Sequence, residues 1–410
     1  MAFIADFHIH SKYSRATSKE MDIKHIDEMA RIKGIDLLGT GDFTHPLWLN
    51  ELKRELTPEE DGLYKYKYGK TLFILTTEVN NIFHLRGILR KIHIIIFAPT
   101  FEIAEKINRK LERWGDLQSD GRPTLKMRAE DLVKEVLAIS EEAFLVPAHI
   151  WTPWFSLLGA NFGFDSVEEC FGEYTQYIYA LETGLSSDPL MNWRVSSLDR
   201  FTLISNSDAH SPSKIGREAN VFSKRVGFKE IKEILKEKDG KRLLFTIEFF
   251  PQEGKYHYDG HRICGISLSP AESKKYHNKC PRCGKKLTIG VMHRIEILGD
   301  REEGFIPKGA IPFKHLIPLR EIIADSFNQN TDTAGVEREY KSITQRLGGE
   351  FKILLDLSEE ELASKISKKI VEGIMRVRKG EVKIECGYDG VYGKIKIFRE
   401  KETDQQLSLF

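Results

Sequence analysis

Through the first 250 residues, short apolar runs alternate with longer stretches whose apolar residues recur every three or four positions, and almost every run hands over to a histidine or a carboxylate. Phe3-Ile4-Ala5-Asp6-Phe7 leads into His8 and His10, Leu37-Leu38-Gly39 into Asp42 and His45, and the run from Leu72 to Thr77 into Glu78. Phe144-Leu145-Val146 leads into His149, and the run from Phe201 to Ser207 into Asp208 and His210; His93 differs in lying near the start of its run. Strand, helix, strand repeated in this way folds as an α/β unit whose parallel strands bring their carboxyl ends to one side. Side chains two apart on a strand share a face, so His8 and His10 point the same way. A chain so patterned is expected to gather these residues into one metal site at the strand ends.

Asp22 caps an expected helix that carries Ile23, Ile26, Met29 and Ile32 and closes at Gly34; further helices are expected over 101–114 and 127–139. His25 and His84 fit no strand end and are taken as surface or loop residues. Two insertions interrupt the pattern. Residues 52–70 carry Tyr64, Tyr66 and Tyr68 in alternation, the pattern of one aromatic face on a hairpin or extended loop. Residues 151–164 follow His149 with Trp151, Trp154, Phe155, Phe162 and Phe164, a loop that either stacks a nucleobase or lids the site.

Imidazoles and carboxylates in one set suit zinc, manganese or iron. Ions held about 3.5 to 4 Å apart activate water and neutralise charge in phosphoester hydrolysis. A formal net charge of +1 gives no global field for binding nucleic acid, so any such binding rests on local patches. Five cysteines, an odd number with two in Cys-x-x-Cys spacing, favour a metal knuckle in a reducing compartment over a disulfide framework. No apolar run approaches the roughly 18 residues of a membrane span and no basic, apolar leader opens the chain, so a cytoplasmic protein without a membrane partner is expected.

After residue 250 the alternation stops. His261-x-x-Cys264 and Cys280-x-x-Cys283 each end in a glycine, and four such ligands in two pairs make the tetrahedral shell of one structural zinc. His257 and His277 lack that spacing. From Lys255 to Asp300 there are nine basic residues against four acidic ones, with Tyr256, Tyr258 and Tyr276 interleaved, a candidate footprint on a nucleic acid backbone. Ser358-x-x-Glu361 resembles a capping box opening a helix with Leu362, Ile366, Ile370 and Ile374 on one face, and 382–384 with 394–397 form an expected hairpin packed on it. The expected division is an α/β barrel over 1–250, an inserted or appended zinc-knuckle module over 251–300, a small, mainly helical C-terminal DNA-binding region over 301–400, and a tail over 401–410. That tail ends Gln406-Leu407-Ser408-Leu409-Phe410, apolar residues at a terminus with no core of their own to join.

In order and placement, His8-x-His10, Asp42 with His45, Glu78, His93, His149 and Asp208-x-His210 resemble the ligand series of the polymerase and histidinol phosphatase (PHP) family of metal phosphoesterases. The resemblance implies a distorted (βα)7 barrel with two or three divalent metals (Zn, Mn, Mg or Fe) on those residues. The family usually has Asp-His adjacent in its second motif; here Phe43 follows Asp42 and the histidine is displaced to His45, so which of the two is a ligand stays open. Ser14 and Arg15, just past the first motif, are placed to contact phosphate. Gln406 to Phe410 resembles the pentapeptide with which bacterial proteins dock into the sliding clamp of DNA polymerase, the β clamp.

Barrel, zinc module, helical region and tail together resemble the endonuclease Q family of DNA repair enzymes. That resemblance implies hydrolysis of the phosphodiester 5′ to deaminated bases (uracil, hypoxanthine, xanthine) and abasic sites, leaving a 3′-hydroxyl and a 5′-phosphate. It also implies that the damaged nucleotide is flipped into a pocket between barrel and zinc module, with Asn206, Trp151 and Trp154 as candidate base contacts. The alternative is a PHP-family phosphatase acting on a small phosphomonoester, which would need neither a basic zinc module nor a clamp peptide. A non-enzymatic clamp accessory would lack so complete a ligand series.

Overall fold

The computed structural model describes residues 2–398, and its centre is an eleven-stranded mixed sheet. Phe3–Asp6 pairs in parallel with Leu37–Gly39, and that strand in parallel with Leu72–Leu85. On its other side Phe3–Asp6 meets Ala219–Phe222 antiparallel, followed by Leu243–Glu248. Alternate residues enter different apolar clusters: Ala5, Leu37, Ile74, Ile95 and Val146 face one, while Ile4, Leu38, Phe73, Ile94 and Leu145 face the other. A sheet covered on both faces reads in sequence as continuous apolar runs, which is why these strands show no polar alternation.

The helices between strands follow local rules. Ile23–Lys33 begins at Asp22, whose carboxylate accepts from His25 N, and ends at Gly34 with φ 82°. Phe101–Leu111 and Ala129–Ile139 occupy two of the expected helical stretches, the first capped by Thr100.

The regular alternation is broken by a long hairpin. Leu72–Leu85 pairs antiparallel with Ile88–Ala98, and that strand antiparallel with Phe144–Pro147. Because the second arm runs backward, its beginning lies where the first arm ends, so His93 opposite Asn80 sits at the same end of the sheet as Glu78. The position of His93 near the start of its run follows from strand direction. The three tyrosines of 52–70 do not share a face: Tyr64 and Tyr66, on Tyr64–Tyr66 paired to Leu56–Pro58, are buried, whereas Tyr68 lies beyond the strand and is 79% exposed.

After Leu243–Glu248 the chain leaves the sheet for the His261 and Cys264 region and returns in Phe313–His315, which pairs in parallel with Leu243–Glu248. Helices Leu319–Ser326, Ala334–Leu347 and Glu350–Leu355 follow. The single helix expected after Ser358 is two. Ser358 and Glu361 do form a capping box, but Glu359–Ala363 stops there and Lys368–Lys379 restarts under Ser367, whose hydroxyl accepts from Ile370 N. A serine bonding the backbone competes with continuation of the helix and favours a new cap. Lys383–Glu385 and Lys394–Lys396 pair antiparallel. Among the described residues no helix is long and apolar enough to cross a membrane. The pentapeptide Gln406 to Phe410 lies outside the described residues.

Candidate metal centre and relatives

Strand ends and the turns beyond them bring the ligand-type residues together. His10 N donates to Ala209 O, tying the first motif to the loop of Asp208. His8, His10, Glu78 and Asp208 form one group whose potential ligand atoms converge, and Glu78, His93 and His149 form a second. Glu78 belongs to both and presents a different oxygen to each. Its Oε2 lies 3.2 Å from His10 Nε2 and 3.5 Å from His8 Nε2, while its Oε1 lies 2.7 Å from His93 Nδ1 and 3.0 Å from His149 Nε2. Asp208 Oδ1 is 3.1 Å from His10 Nε2. A carboxylate shared between two donor sets is the arrangement that bridges paired ions.

The far nitrogens of both leading histidines are taken by carboxylates. His8 Nδ1 sits 3.0 Å from Glu182 Oε1, and His10 Nδ1 sits 3.0 Å from Asp42 Oδ1. With Nδ1 of each ring held by a carboxylate, Nε2 faces Glu78 and Asp208, the second-sphere arrangement found around metal-ligating histidines. Asp42 is fully engaged in this task, since its Oδ2 accepts from Ser11 N, Ser11 Oγ and Ser14 Oγ.

His45 lies apart from both groups, its Nε2 3.2 Å from Gln118 O and its ring stacked on Tyr13 at 4.5 Å. His210 stands beside the cluster, 4.5 Å from the His10 ring, with its Nδ1 donating to Asp208 O. Asn206 is buried, turned inward onto Phe7 N, Glu182 and Asn220. Trp151 is also buried and donates to Asn192, whereas Trp154 is half-buried and meets Tyr256 edge-on at 4.8 Å. Ser14 is buried on Asp42, and Arg15 extends into solvent with Nε 3.4 Å from Asp120.

Two residues not singled out from sequence complete the site. Glu182, after Ala180 and Leu181 on a three-residue strand, accepts from His149 N and Asn206 Nδ2 besides holding His8. The signal for it was the same apolar-run-then-carboxylate pattern, on a run too short to stand out. Arg122, on a loop, places Nη1 3.2 Å from Glu78 Oε2.

The donor set suits cations on the evidence of its own atoms. His8 Nε2, His10 Nε2 and Asp208 Oδ1 are buried without a hydrogen-bond partner, an orphaning that a bound cation would relieve. Burial opposes charge on Glu78, but His93, Arg122 and His8 outweigh it and hold the carboxyl well below its usual range. Burial pushes the His93 imidazole down, against the opposing pull of the Glu78 carboxylate. Asp42, His149 and Asp208 adopt positive φ (50°, 31° and 47°), conformations costly for residues with a Cβ.

A third donor group lies after residue 250. His261, Cys264, Cys280 and Cys283 converge, with Cys283 Sγ 3.5 Å from His261 Nδ1. Gly265 (φ 64°) and Gly284 (φ 73°) turn the chain after each pair. His257 and His277 stand outside this group.

Matched across 100% of this chain and 98% of the other, the crystal structure of the lesion-specific endonuclease PfuEndoQ from Pyrococcus furiosus superposes with a TM-score of 0.87 at 32% identity. The chain belongs to the endonuclease Q family. As a member it is an enzyme, an endonuclease. A crystal structure of endonuclease Q in complex with a 27-mer duplex substrate with an abasic lesion at the active site gives a TM-score of 0.86 at 32% identity over 98% of each chain. Residues 318–381 match the family model of the MJ0043 C-terminal domain. The uncharacterized protein MJ0043 of Methanocaldococcus jannaschii is 33% identical over 259 residues, 61% of this chain, and the match spans about a third (32%) of that protein's length.

Proposed function

We propose that this endonuclease Q family member is a metal-dependent DNA repair enzyme that cuts the phosphodiester 5′ to abasic sites and to deaminated bases (uracil, hypoxanthine, xanthine), leaving a 3′-hydroxyl and a 5′-phosphate. The observation that carries the reading is Glu78, with one oxygen in each of two donor groups, in a chain that follows a DNA-bound relative along its whole length. The bound ions would activate the attacking water and neutralise charge on the scissile phosphate. His8, His10, Glu78 and Asp208 would hold one ion, and Glu78, His93 and His149 another. Glu182 and Asp42 fix the orientation of His8 and His10, and burial of the cluster excludes bulk water. The curled sheet is taken as a PHP barrel, and His261, Cys264, Cys280 and Cys283 as the ligands of one structural zinc.

The damaged nucleotide leaves the duplex for a pocket between the sheet and the zinc module, where Trp154 against Tyr256 closes one wall. Extrusion costs a few kcal/mol and is cheapest for damaged or mispaired bases, which supports selectivity. Arg15 reaches out to a backbone phosphate. The tail ending Gln406 to Phe410 docks on a bacterial sliding clamp, placing the enzyme on DNA in the cytoplasm.

The deciding experiment incubates the purified protein and manganese or magnesium with end-labelled duplex DNA carrying one abasic site, deoxyuridine or deoxyinosine. Cleavage just 5′ of the lesion, lacking on undamaged DNA and with Asp208→Ala, is expected. Phosphate release from small phosphomonoesters without DNA cleavage would replace this reading with a phosphatase.

A further inference from the structure

Among the described residues, Arg122 is the one Lys or Arg side chain in contact with a carboxylate of the metal cluster. Its loop is laid tightly across the site. Gly121 N donates to Tyr13 O (3.1 Å), Pro123 O accepts from Asn80 N (3.0 Å), and Asp120 Oδ1 accepts from Arg122 N (3.2 Å). Gly121 rests so close on Asp42 that an added Cβ would lie 2.3 Å from Oδ2 and 2.4 Å from Ser14 Oγ, so only glycine allows this approach. The backbone that carries Arg122 is therefore docked directly on the carboxylate that orients His10.

The side chain links the buried cluster to the outside. Nη1 touches Glu78, yet 27% of the side chain remains exposed, in contrast to Glu78 itself at 0%. A guanidinium has five N–H donors, and among the described residues one of its nitrogens, Nη1, is bonded to a side chain, so the others can take an incoming anion. Arg15, at 78% exposed and 3.4 Å from Asp120, is too far out in solvent to compete for the same place. Once ions neutralise Glu78, the pull of that carboxylate on the guanidinium falls and a phosphate oxygen becomes the stronger partner.

We propose that Arg122 is a catalytic residue that donates to a non-bridging oxygen of the scissile phosphodiester and stabilises the charge gathering there during displacement. This rests on the endonuclease reading above. In that step the water oxygen bonds to phosphorus and the P–O3′ bond breaks. O3′ leaves with the electron pair and ends as the hydroxyl, the proton balance being met by the one water gives up. Arg122 stays a cation throughout and transfers no proton.

The test uses the full-length, metal-loaded protein and duplexes with one abasic site whose scissile phosphate is either normal or a single phosphorothioate diastereomer. Arg122→Ala is expected to retain its metals, by elemental analysis, and to lose about a hundredfold in single-turnover rate on the normal duplex. Arg122→Lys restores part of the loss, because it returns charge without the fork. The loss in Arg122→Ala should be smaller for the diastereomer that puts sulfur where Arg122 donates. Equal losses on both diastereomers, a rate unchanged from native, or loss of metal in step with rate would overturn the proposal, the last making Arg122 a holder of Glu78. A native protein inactive on all these duplexes would sink the endonuclease reading instead.

Discussion

Glu182 does three things with one carboxylate: it accepts from His8 Nδ1, from His149 N and from Asn206 Nδ2. Removing it leaves three buried donors unpaired and frees His8 to turn. Second-sphere partners of this kind typically account for about 10–100-fold in metal affinity. Glu182→Ala is therefore expected to weaken metal binding by that much in a titration against a competing chelator, while a variant binding as tightly as native would deny Glu182 this role. Its neighbour Glu248 carries a pH dependence. Burial pushes Glu248 up from an ordinary 4.5 to about 7, with Asp188 adding to the effect and the hydroxyls of Thr246 and Thr183 opposing it. The folded carboxyl thus holds its proton more tightly than the unfolded one, so folding takes up a proton between these values and stability falls as pH rises through that window. Glu248→Gln should lack this slope, gaining on native between pH 5 and pH 8 in denaturant unfolding. An unchanged native-to-variant difference across that range would refute the assignment.

Between elements, the segment around Asp389 is sewn to the region that carries His261 and the three converging cysteines. Asp389 accepts from Arg262 N and Thr288 Oγ1, both at 2.6 Å, and Tyr258 N donates to Gly387 O. Within that region, Asp259 accepts from Gly290 N and pairs with His293. Loss of Asp389 strands two donors, one of them on the residue next to His261. Asp389→Ala should cost about 1–3 kcal/mol in denaturant unfolding and raise hydrogen exchange around 260–290 first; exchange unchanged there would show that the seam does not hold that region. The same scale explains what could be foreseen from sequence. Helix caps at Asp22 and Ser358 use neighbouring residues, so they were legible. The break before Ser367 was not, because apolar spacing continued across it and only the serine hydroxyl marks the new start. Tyr68 likewise alternates with Tyr64 and Tyr66, but the strand that would have aligned them ends at Tyr66.

Across the whole molecule, legibility follows distance along the chain. The order of ligand-type residues was readable because a strand carries its own ending, and two residues such as His8 and His10 share a face by geometry alone. Partners chosen by the fold were hidden. A turn at φ 50° sets Asp42 on His10, and Arg122 comes from a loop without any apolar run. The tail lies at the other extreme, where sequence is the sole source. Its polar spacer and apolar end, Gln406-Leu407-Ser408-Leu409-Phe410, follow a chain whose described part closes with Ile397 and Phe398 buried in the core. A docking peptide that acts only by recruitment should be separable from catalysis, because it adds local concentration and no contact at the scissile bond. Deleting 406–410 is expected to leave cleavage of a short linear lesion duplex within about twofold of native while abolishing co-elution with a purified bacterial sliding clamp in size-exclusion chromatography. On a circular plasmid loaded with clamp, the native protein should cut faster than the deletion, and without clamp the two should match. A deletion that still co-elutes with the clamp would locate the docking elsewhere, and one that cuts the short duplex poorly would make the tail part of the folded enzyme.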